Sequence, residues 1–431
     1  MITLNKQHGR YDKYQDSDLA WLGDVPEHWK LGRIGYYFSE RREKVSDTDY
    51  PALSVTKDGI VPQLDSAAKT DDGDNRKKVC IGDFVINSRS DRKGSSGTSS
   101  LTGSVSLICT VLHSRKEVHP SFVHHLLRSQ GFQEEFYRNG RGIVADLWST
   151  NYSIMRNIII GLAPFSEQVL IASYLDEKCA LVDHIIDGKK RQIEILEEQR
   201  SAIINRAVTK GLDENVEMKE SGVEWIGEMP KNWDMKKLKT VFRFEKGKQS
   251  GLFTKEYVGD PKNMGEYPVY SGQTEDEGVM GRINSYIYDI DDTIFTTTVG
   301  AKVMTPMIIG GKFSLSQNCV LFIKQNKKID VRYFYYQLFP MFKWEKDSIP
   351  SHMQPSLRVS DLNKYSIAFP AYEEQVKIAN YIEEKTNFID EFSREIERSI
   401  SLLNEYKTSL ISHAVTGKIR IATPLSDESA S

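Results

Sequence analysis

Two stretches of the chain, Phe165 to Leu212 and Tyr372 to Ile419, carry one pattern of apolar and polar positions. Leu175, Val182, Lys189, Leu196 and Ile203 fall seven residues apart, and Ile382, Ile389, Ile396, Leu403 and Leu410 occupy the matching places at a constant offset of 207 (Leu175 to Ile382). A sustained seven-residue period predicts a coiled-coil seam on a long helix. The seam residues that carry the reading are Leu175, Val182, Leu196, Ile203, Ile382, Ile389, Ile396, Leu403 and Leu410. Each stretch follows a proline, Pro164 or Pro370, places acids in its first turn (Glu167; Glu373 and Glu374), and reaches a glycine near its end, Gly211 or Gly417. These are helix start and stop signals. At the helical rise, about 43 residues make a rod of roughly 65 Å. Residues outside the seam match as well: Gln168 with Gln375, Ala172 with Ala379, Tyr174 with Tyr381, and Ala207-Val208-Thr209 with Ala414-Val415-Thr416. The chain is an internal duplication.

A second signature repeats ahead of each rod. Ser17, Trp21, Gly23, Pro26, Trp29 and Phe38 recur as Ser221, Trp225, Gly227, Pro230, Trp233 and Phe242. Indole rings beside a turn-forming Gly and Pro predict a hydrophobic plug, which is packing rather than chemistry. Between plug and rod the pattern becomes strand-like. Residues 83–86, 105–109 and 157–160 read as strands and 121–128 as a helix; the second half keeps this order with strands at 293–296, 319–323 and 365–369 and a helix at 331–338. Met1 to Asp16 has no periodicity and reads as a polar tail. The expected fold is α+β: two strand-rich globular domains (17–164 and 213–370) separated by two long helices (165–212 and 371–417) that pair as an antiparallel coiled coil, a pseudo-two-fold internal repeat with tails at 1–16 and 418–431. The frame is repeated while the domain interiors have diverged, as expected if each half recognises something different.

Composition narrows the classes. No run of eighteen apolar residues offers a bilayer span, and residues 1–18 lack the apolar core of a secretory signal. Cys80, Cys109, Cys179 and Cys319 are scattered without CxxC spacing, so neither a disulfide framework nor a zinc site is indicated. A cytoplasmic protein without a membrane partner is the expectation. The net charge of -3 argues against DNA binding by bulk positive charge, but not against local basic loops.

Catalytic signatures are missing. No two of the 14 prolines are adjacent, so the Pro-Pro core of an amino-methyltransferase motif is absent. Gly247-Lys248-Gln249 and Gly311-Lys312-Phe313 fail the phosphate-loop pattern. Glu383-Glu384-Lys385 imitates part of a nuclease motif, yet its counterpart Asp176-Glu177-Lys178 sits at the same place on the other rod, so a solvated helix face accounts for both. His119, His124 and His125 lack a carboxylate at ligand spacing, and no metal site is expected. Loops with donors suited to base edges and phosphates are easier to find. In the first half they are Asn87, Ser88, Arg89, Arg92 and Lys93, followed by a Gly/Ser run, 94–103, that reads as flexible. In the second half they are Lys246, Lys248, Gln249, Gln273, Thr274, Arg282, Thr297, Lys302, His352, Gln354 and Arg358.

The motif Trp21-x-Gly23-x-x-Pro26-x-x-Trp29 with its copy at Trp225, Gly227, Pro230 and Trp233 resembles the specificity (S) subunits of type I restriction-modification systems. So do the rod starts Glu167-Gln168-x-x-Ile171-Ala172-x-Tyr174-Leu175 and Glu374-Gln375-x-x-Ile378-Ala379-x-Tyr381-Ile382, and the stretch Gly82 to Asn87. The likeness covers nearly the whole chain. It implies two target recognition domains, each reading one half of a bipartite site in double-stranded DNA, with the helices as a ruler. It also implies a non-catalytic chain whose partners are two modification (methyltransferase) subunits and two restriction (endonuclease/translocase) subunits. S-adenosylmethionine, ATP and Mg then belong to those partners, and no cofactor to this chain. The competing expectation is a coiled-coil scaffold, or an orphan relative that binds methyltransferase subunits without reading DNA.

Overall fold

The computed structural model describes residues 9–65, 73–142, 148–272, 276–300, 302–350 and 352–422. It divides into two compact units, one formed by residues 1–190 with 397–431 and the other by 191–396. Each long helix, Phe165–Lys210 and Tyr372–Val415, therefore contributes to both units.

In the first unit a four-stranded antiparallel sheet runs in the order Ser96–Thr98, Phe84–Asn87, Cys109–Ser114, Phe38–Glu40. A three-stranded sheet, Gly103–Val105, Arg76–Val79 and Lys44–Val45, lies in the same domain. In the second unit one six-stranded sheet takes their place, ordered Phe242–Lys246, Cys319–Lys324, Tyr288–Thr297, Met307–Leu315, Met264–Tyr270, Val279–Ile283. The closing strand is shared: Ile159–Leu162 pairs with Lys30–Arg33, and Ser366–Phe369 with Asp234–Lys237. The last strand thus returns to the plug in each half, fixing where the rod departs.

Four local expectations need correction. Residues 105–109, which read as one strand, form the turn between two: Val105 ends the first and Cys109 begins the second. The Gly/Ser run after Lys93 is not free loop, because Ser96–Thr98 pairs with Phe84–Asn87, and Ser95, Ser96 and Ser99 are buried. Small side chains there let the strand lie close against its neighbours. The tail ending at Asp16 is also tied down, since Tyr14–Asp16 pairs with Asp24–Pro26 and Gly9 forms a bridge with Arg420. Ile419 and Ile421, assigned to the C-terminal tail, are core residues.

The helices pair as their period predicts. Within the first unit Ile171, Ala172 and Leu175 of the first long helix share a core with Leu410, Ala414 and Val415 of the second. Within the second unit Ile204, Ala207 and Val208 share one with Ile378, Ala379 and Ile382. Beginning meets end in both, so the pairing is antiparallel. Val182, Ile389 and Ile396 are buried; Leu196, Ile203 and Leu403 are half-buried, as befits a two-helix seam open to water on its flanks. The alternate seam row is Cys179, Ile186, Ile193, Arg200 and Ala207 in one helix and Thr386, Ser393, Ile400, Lys407 and Ala414 in the other. Its cations make interhelical ion pairs: Lys407 to Asp183 at 2.6 Å and Arg200 to Asp390 at 3.4 Å. These two pairs are equivalent under the repeat. Partly exposed, each contributes no more than about 1 kcal/mol, and its use is to fix register.

The repeated glutamine at each rod start has one task. Gln168 accepts from the backbone N–H of His119 (2.9 Å) and donates to the Ala163 carbonyl (2.8 Å). Gln375 accepts from Asp330 N–H (3.0 Å) and donates to the Pro370 carbonyl (2.9 Å). Each joins the rod's first turn to the start of its domain helix, Pro120–Arg128 or Val331–Asp347, in buried surroundings where an unmade bond is costly.

The acid two turns later distinguishes the halves, and here the solvated-face reading fails. Asp176 accepts from Ser121 Oγ (2.7 Å) and faces His125 Nε2 (2.7 Å). Its counterpart Glu383 accepts from the Arg332 guanidinium (2.9 Å). Both acids latch a domain helix to the rod. Burial lowers the affinity of His125 for a proton, outweighing the bond to Asp176. Burial and the neighbouring Arg128 push His124 down to about 3. A histidine whose folded pKa lies below its unfolded value, about 6.5, contributes stability that is intact above that value and lost as pH falls below it. Burial works against ionisation of Asp176, but its bonds to Ser121 and His125 hold its pKa below the ordinary carboxylate value, so its contribution also fades in acid. The Arg332 latch contains no histidine. Calorimetric scans from pH 7 to pH 4.5 are expected to show the first unit losing melting temperature sooner than the second, and His124→Asn plus His125→Asn to narrow the difference. Equal acid sensitivity of the two units would rule this out.

Candidate nucleic-acid interface

In the first unit the candidate loop follows the strand Phe84–Asn87. Tyr137 Oη donates to the carbonyls of Asn87 (3.3 Å) and Arg92 (3.2 Å), holding both ends of the turn. Burial pushes that phenol up to about 12, so it stays a donor. Arg92 and Lys93 are exposed, Asn87 and Arg89 half-buried. Asp91 lies between two guanidinium groups, 3.1 Å from Arg89 and 3.7 Å from Arg92. Ser88 does not face outward: it is buried and hydrogen-bonds Thr110 Oγ1 (3.2 Å), because the side chain points into the sheet.

Tertiary structure adds residues to this loop that sequence reading missed. Ser90 N–H donates to the Trp148 carbonyl (2.9 Å), and Ser149 bridges both Arg89 and Arg141, which brings exposed Trp148 and Arg141 alongside. Lys57, at the tip of the hairpin Leu53–Thr56 and Gly59–Pro62, has its Cγ 3.9 Å from where a Cβ on Gly94 would sit. Arg128 holds that tip by donating to the Lys57 carbonyl. Lys57, Arg89, Arg92, Lys93 and Arg141 thus gather with one large aromatic ring. The Asp58-Gly59 turn signal marks a hairpin, but nothing local says where its tip lands.

In the second unit, loops from distant parts of the chain meet at one end of the six-stranded sheet. Tyr288 Oη accepts from Lys248 N–H (2.8 Å) and fixes the exposed loop carrying Lys246, Lys248 and Gln249. Leu357 N–H donates to the Thr298 carbonyl (2.8 Å), which sets exposed His352, Gln354 and Arg358 on the segment beside Thr297. Thr298 N–H in turn donates to the Asn318 carbonyl (2.8 Å). Thr297 bridges Val303, so half-buried Lys302 joins the group; Thr297 itself is buried at the strand end and shows no side chain to solvent. Arg282 lies elsewhere, on the edge strand, donating to the Glu266 carbonyl (2.9 Å). Gln273 and Thr274 lie outside the described residues.

Backbone strain concentrates here. Among the described residues five non-glycines have positive φ, and Gln249, Glu277, Met304 and Asn318 are four of them. Such conformations cost energy and persist where a loop's shape is held for use. Among the described residues no group of three metal-ligating side chains occurs, and no helix is long and apolar enough to cross a membrane.

Residues 230–401 match the family model described as the type I restriction modification DNA specificity domain. The MjaVIII specificity subunit of Methanocaldococcus jannaschii is 25% identical over 92% of this chain and 94% of its own length. Over nearly its whole length the chain is similar to type I specificity subunits. The MpnII specificity subunit of Mycoplasma pneumoniae is 32% identical over 30% of this chain and 37% of that protein, so that likeness is confined to a segment. A solved chain from a type I restriction-modification complex superposes with a TM-score of 0.68 over 91% of this chain and 98% of its own, at 14% identity. At that identity the superposition establishes the shared fold. This chain keeps plug, glutamine joint and seam in both halves while the sheets between them differ.

Proposed function

We propose that this chain is the DNA sequence-recognition subunit of a type I restriction-modification complex and performs no catalysis itself. Each loop cluster reads one short block of double-stranded DNA, and the paired helices set the unread gap and carry the methyltransferase subunits. The observation that carries the reading is the contrast between the halves. The same frame presents two dissimilar loop clusters, one built on Arg89, Arg92, Lys93 and Lys57, the other on Lys248, Gln249, Gln354 and Arg358. Arginine and glutamine match guanine and adenine edges in the major groove, while lysine serves phosphates. With a net charge of -3, most phosphate contacts fall to partner subunits. Methyl transfer from S-adenosylmethionine and ATP-driven cleavage with Mg belong to those partners, two modification and two restriction subunits in the full complex, working in the cytoplasm.

Methylome sequencing of cells that co-express the chain with a type I methyltransferase subunit tests this. The expected product is an asymmetric motif of two short blocks around a fixed unread gap. Replacing Arg89, Arg92 and Lys93 together with alanine is expected to reduce methylation at least about tenfold, by removing base and phosphate contacts of the first block. A single continuous motif, or methylation untouched by the triple substitution, would overturn the assignment. Full association with the methyltransferase but no methylation at any sequence would favour a scaffold.

A further inference from the structure

An arginine distinguishes guanine when its fork is held still, because two N–H groups must meet O6 and N7 together; a freely turning guanidinium serves a phosphate equally well. One arginine in the first unit's loop is held in that way. Arg89 N–H donates to Asn87 Oδ1 (3.1 Å), its backbone bridges Ser149, and Asp91 Oδ1 lies 3.1 Å from its Nε. With a carboxylate on Nε, the Nη1/Nη2 edge remains a two-donor fork. Arg92 is held less closely: its Nε stands 3.7 Å from Asp91 Oδ2, and its side chain is 67% exposed against 41% for Arg89. The turn that carries the pair, Ser90–Arg92, is fixed at both ends, since Tyr137 Oη donates to the Asn87 and Arg92 carbonyls and Ser95 N–H also donates to Arg92 (3.0 Å).

Asp91 is the second observation. Lys57, Arg89, Arg92, Lys93 and Arg141 gather at this loop, and an acid placed among them weakens phosphate binding by cancelling charge that would displace counterions. A loop built only to grip the DNA backbone would bind better without it. The carboxylate is repelled by phosphate, so it biases the guanidinium beside it toward a base edge and fixes the angle at which the fork is offered. On the second unit's loop the acid pairs with a lysine instead, Lys248 Nζ to Glu245 Oε1 at 3.1 Å, and a lysine has no fork to orient. The arrangement therefore speaks for the first block alone.

We propose that Arg89 reads a guanine of the first block through O6 and N7 in the major groove, that Asp91 is its positioning residue, and that Arg92 and Lys93 hold phosphates beside that base. The first block then contains a G·C pair whose identity Arg89 sets. Arg92 and Lys93 add affinity without choosing a base. This inference rests on the proposed function and adds the base recognised and the division of work within the loop.

Methylome sequencing of cells that co-express the full chain with a methyltransferase subunit supporting its methylation, and methylation of synthetic duplexes by the same complex, decide the matter. Arg89→Lys keeps the charge and loses the fork, so it is expected to relax one G·C position of one block and leave the other block intact. Wild type is expected to methylate at least about fivefold more slowly when 7-deazaguanine, which lacks the N7 acceptor, replaces guanine at that position, the low end for a bidentate contact; Arg89→Lys is expected to be indifferent to the replacement. Asp91→Ala is expected to relax the same position while strengthening retention of unrelated duplex DNA, a gain that a misfolded loop would not produce. Asp91→Glu is expected to restore the guanine preference. Arg92→Ala and Lys93→Ala are each expected to lower methylation alike at all sequences and to reduce the salt slope by about one, with the motif unchanged. A motif unaltered by Arg89→Lys, equal rates on guanine and 7-deazaguanine in wild type, or relaxation by Arg92→Ala in place of Arg89→Lys would overturn the inference. Absence of any two-block motif in wild type would overturn the proposed function itself, so the two failures are distinguishable.

Discussion

Trp233→Ala is expected to destabilise the second unit by about 3–5 kcal/mol, the usual range for removing a buried aromatic ring. The indole is fully buried, meets Tyr333 edge-on at 6.5 Å, and lies so close to Gly211 that a Cβ there would stand 3.2 Å from its ring. Gly211 also has φ +75, so neither the conformation nor the space suits another residue. Plug, helix end and domain helix meet at this ring, and Tyr333 Oη completes the joint by donating to the Val208 carbonyl (3.3 Å). Against a typical domain stability of about 5–15 kcal/mol, the loss is a large share. Urea unfolding followed by far-UV circular dichroism reads it, and a loss under about 1 kcal/mol would show that the plug is not a joint.

The repeated partner of that ring behaves differently. Trp29 Nε1 donates to Glu167 Oε1 (3.2 Å), a carboxylate that also receives Tyr11 Oη and faces His28 Nε2 (2.8 Å). Trp233 Nε1 is buried and makes no hydrogen bond among the described residues. Replacement by phenylalanine therefore costs only packing at position 233, whereas at 29 it also removes a donor from a charged group. At Gly417, which has φ +71, a Cβ would collide with Pro26 and stand 3.3 Å from the Trp29 ring, so the glycine is required here as well.

Adding one heptad to each long helix, at matching places in the seam, is expected to lengthen the unread gap while leaving both blocks unchanged. Seven residues add about 10 Å of helix, on the order of three base pairs at about 3.4 Å each. The insertion must be made in both helices, because Lys407 pairs with Asp183 and Arg200 with Asp390, and lengthening one alone would break one of these registers. Methylome sequencing gives the result directly. An unchanged gap would show that the helices are not the ruler, and a change in either block would show that they do more than space the readers.

The repeat explains how much was legible in the sequence. Periodicity is local and additive, so the seam from Leu175 to Ile203 and from Ile382 to Leu410 announces two long helices without knowledge of anything else. Pro164, Pro370, Gly211 and Gly417 bound them closely, and the structure ends them at Lys210 and Val415. Duplication supplied what one copy cannot, since Gln168 with Gln375 and Trp29 with Trp233 stand out only by recurring. Strand edges were less secure. Small residues such as Ser96 and Gly97 read as loop by composition, yet fit between neighbouring strands because they are small.

The sequence by itself determined the architecture of repeated plug, strand-rich domain and heptad rod, because those signals rest on spacing along the chain. Only the tertiary structure decided which side chains gather at each loop cluster. Lys57 lies against Gly94, the neighbour of Lys93, Leu357 ties the segment carrying Arg358 to Thr298, and Ser88, polar and placed in a promising loop, turns inward to Thr110. A loop's position depends on closures made far away in sequence, so no local pattern carries that information.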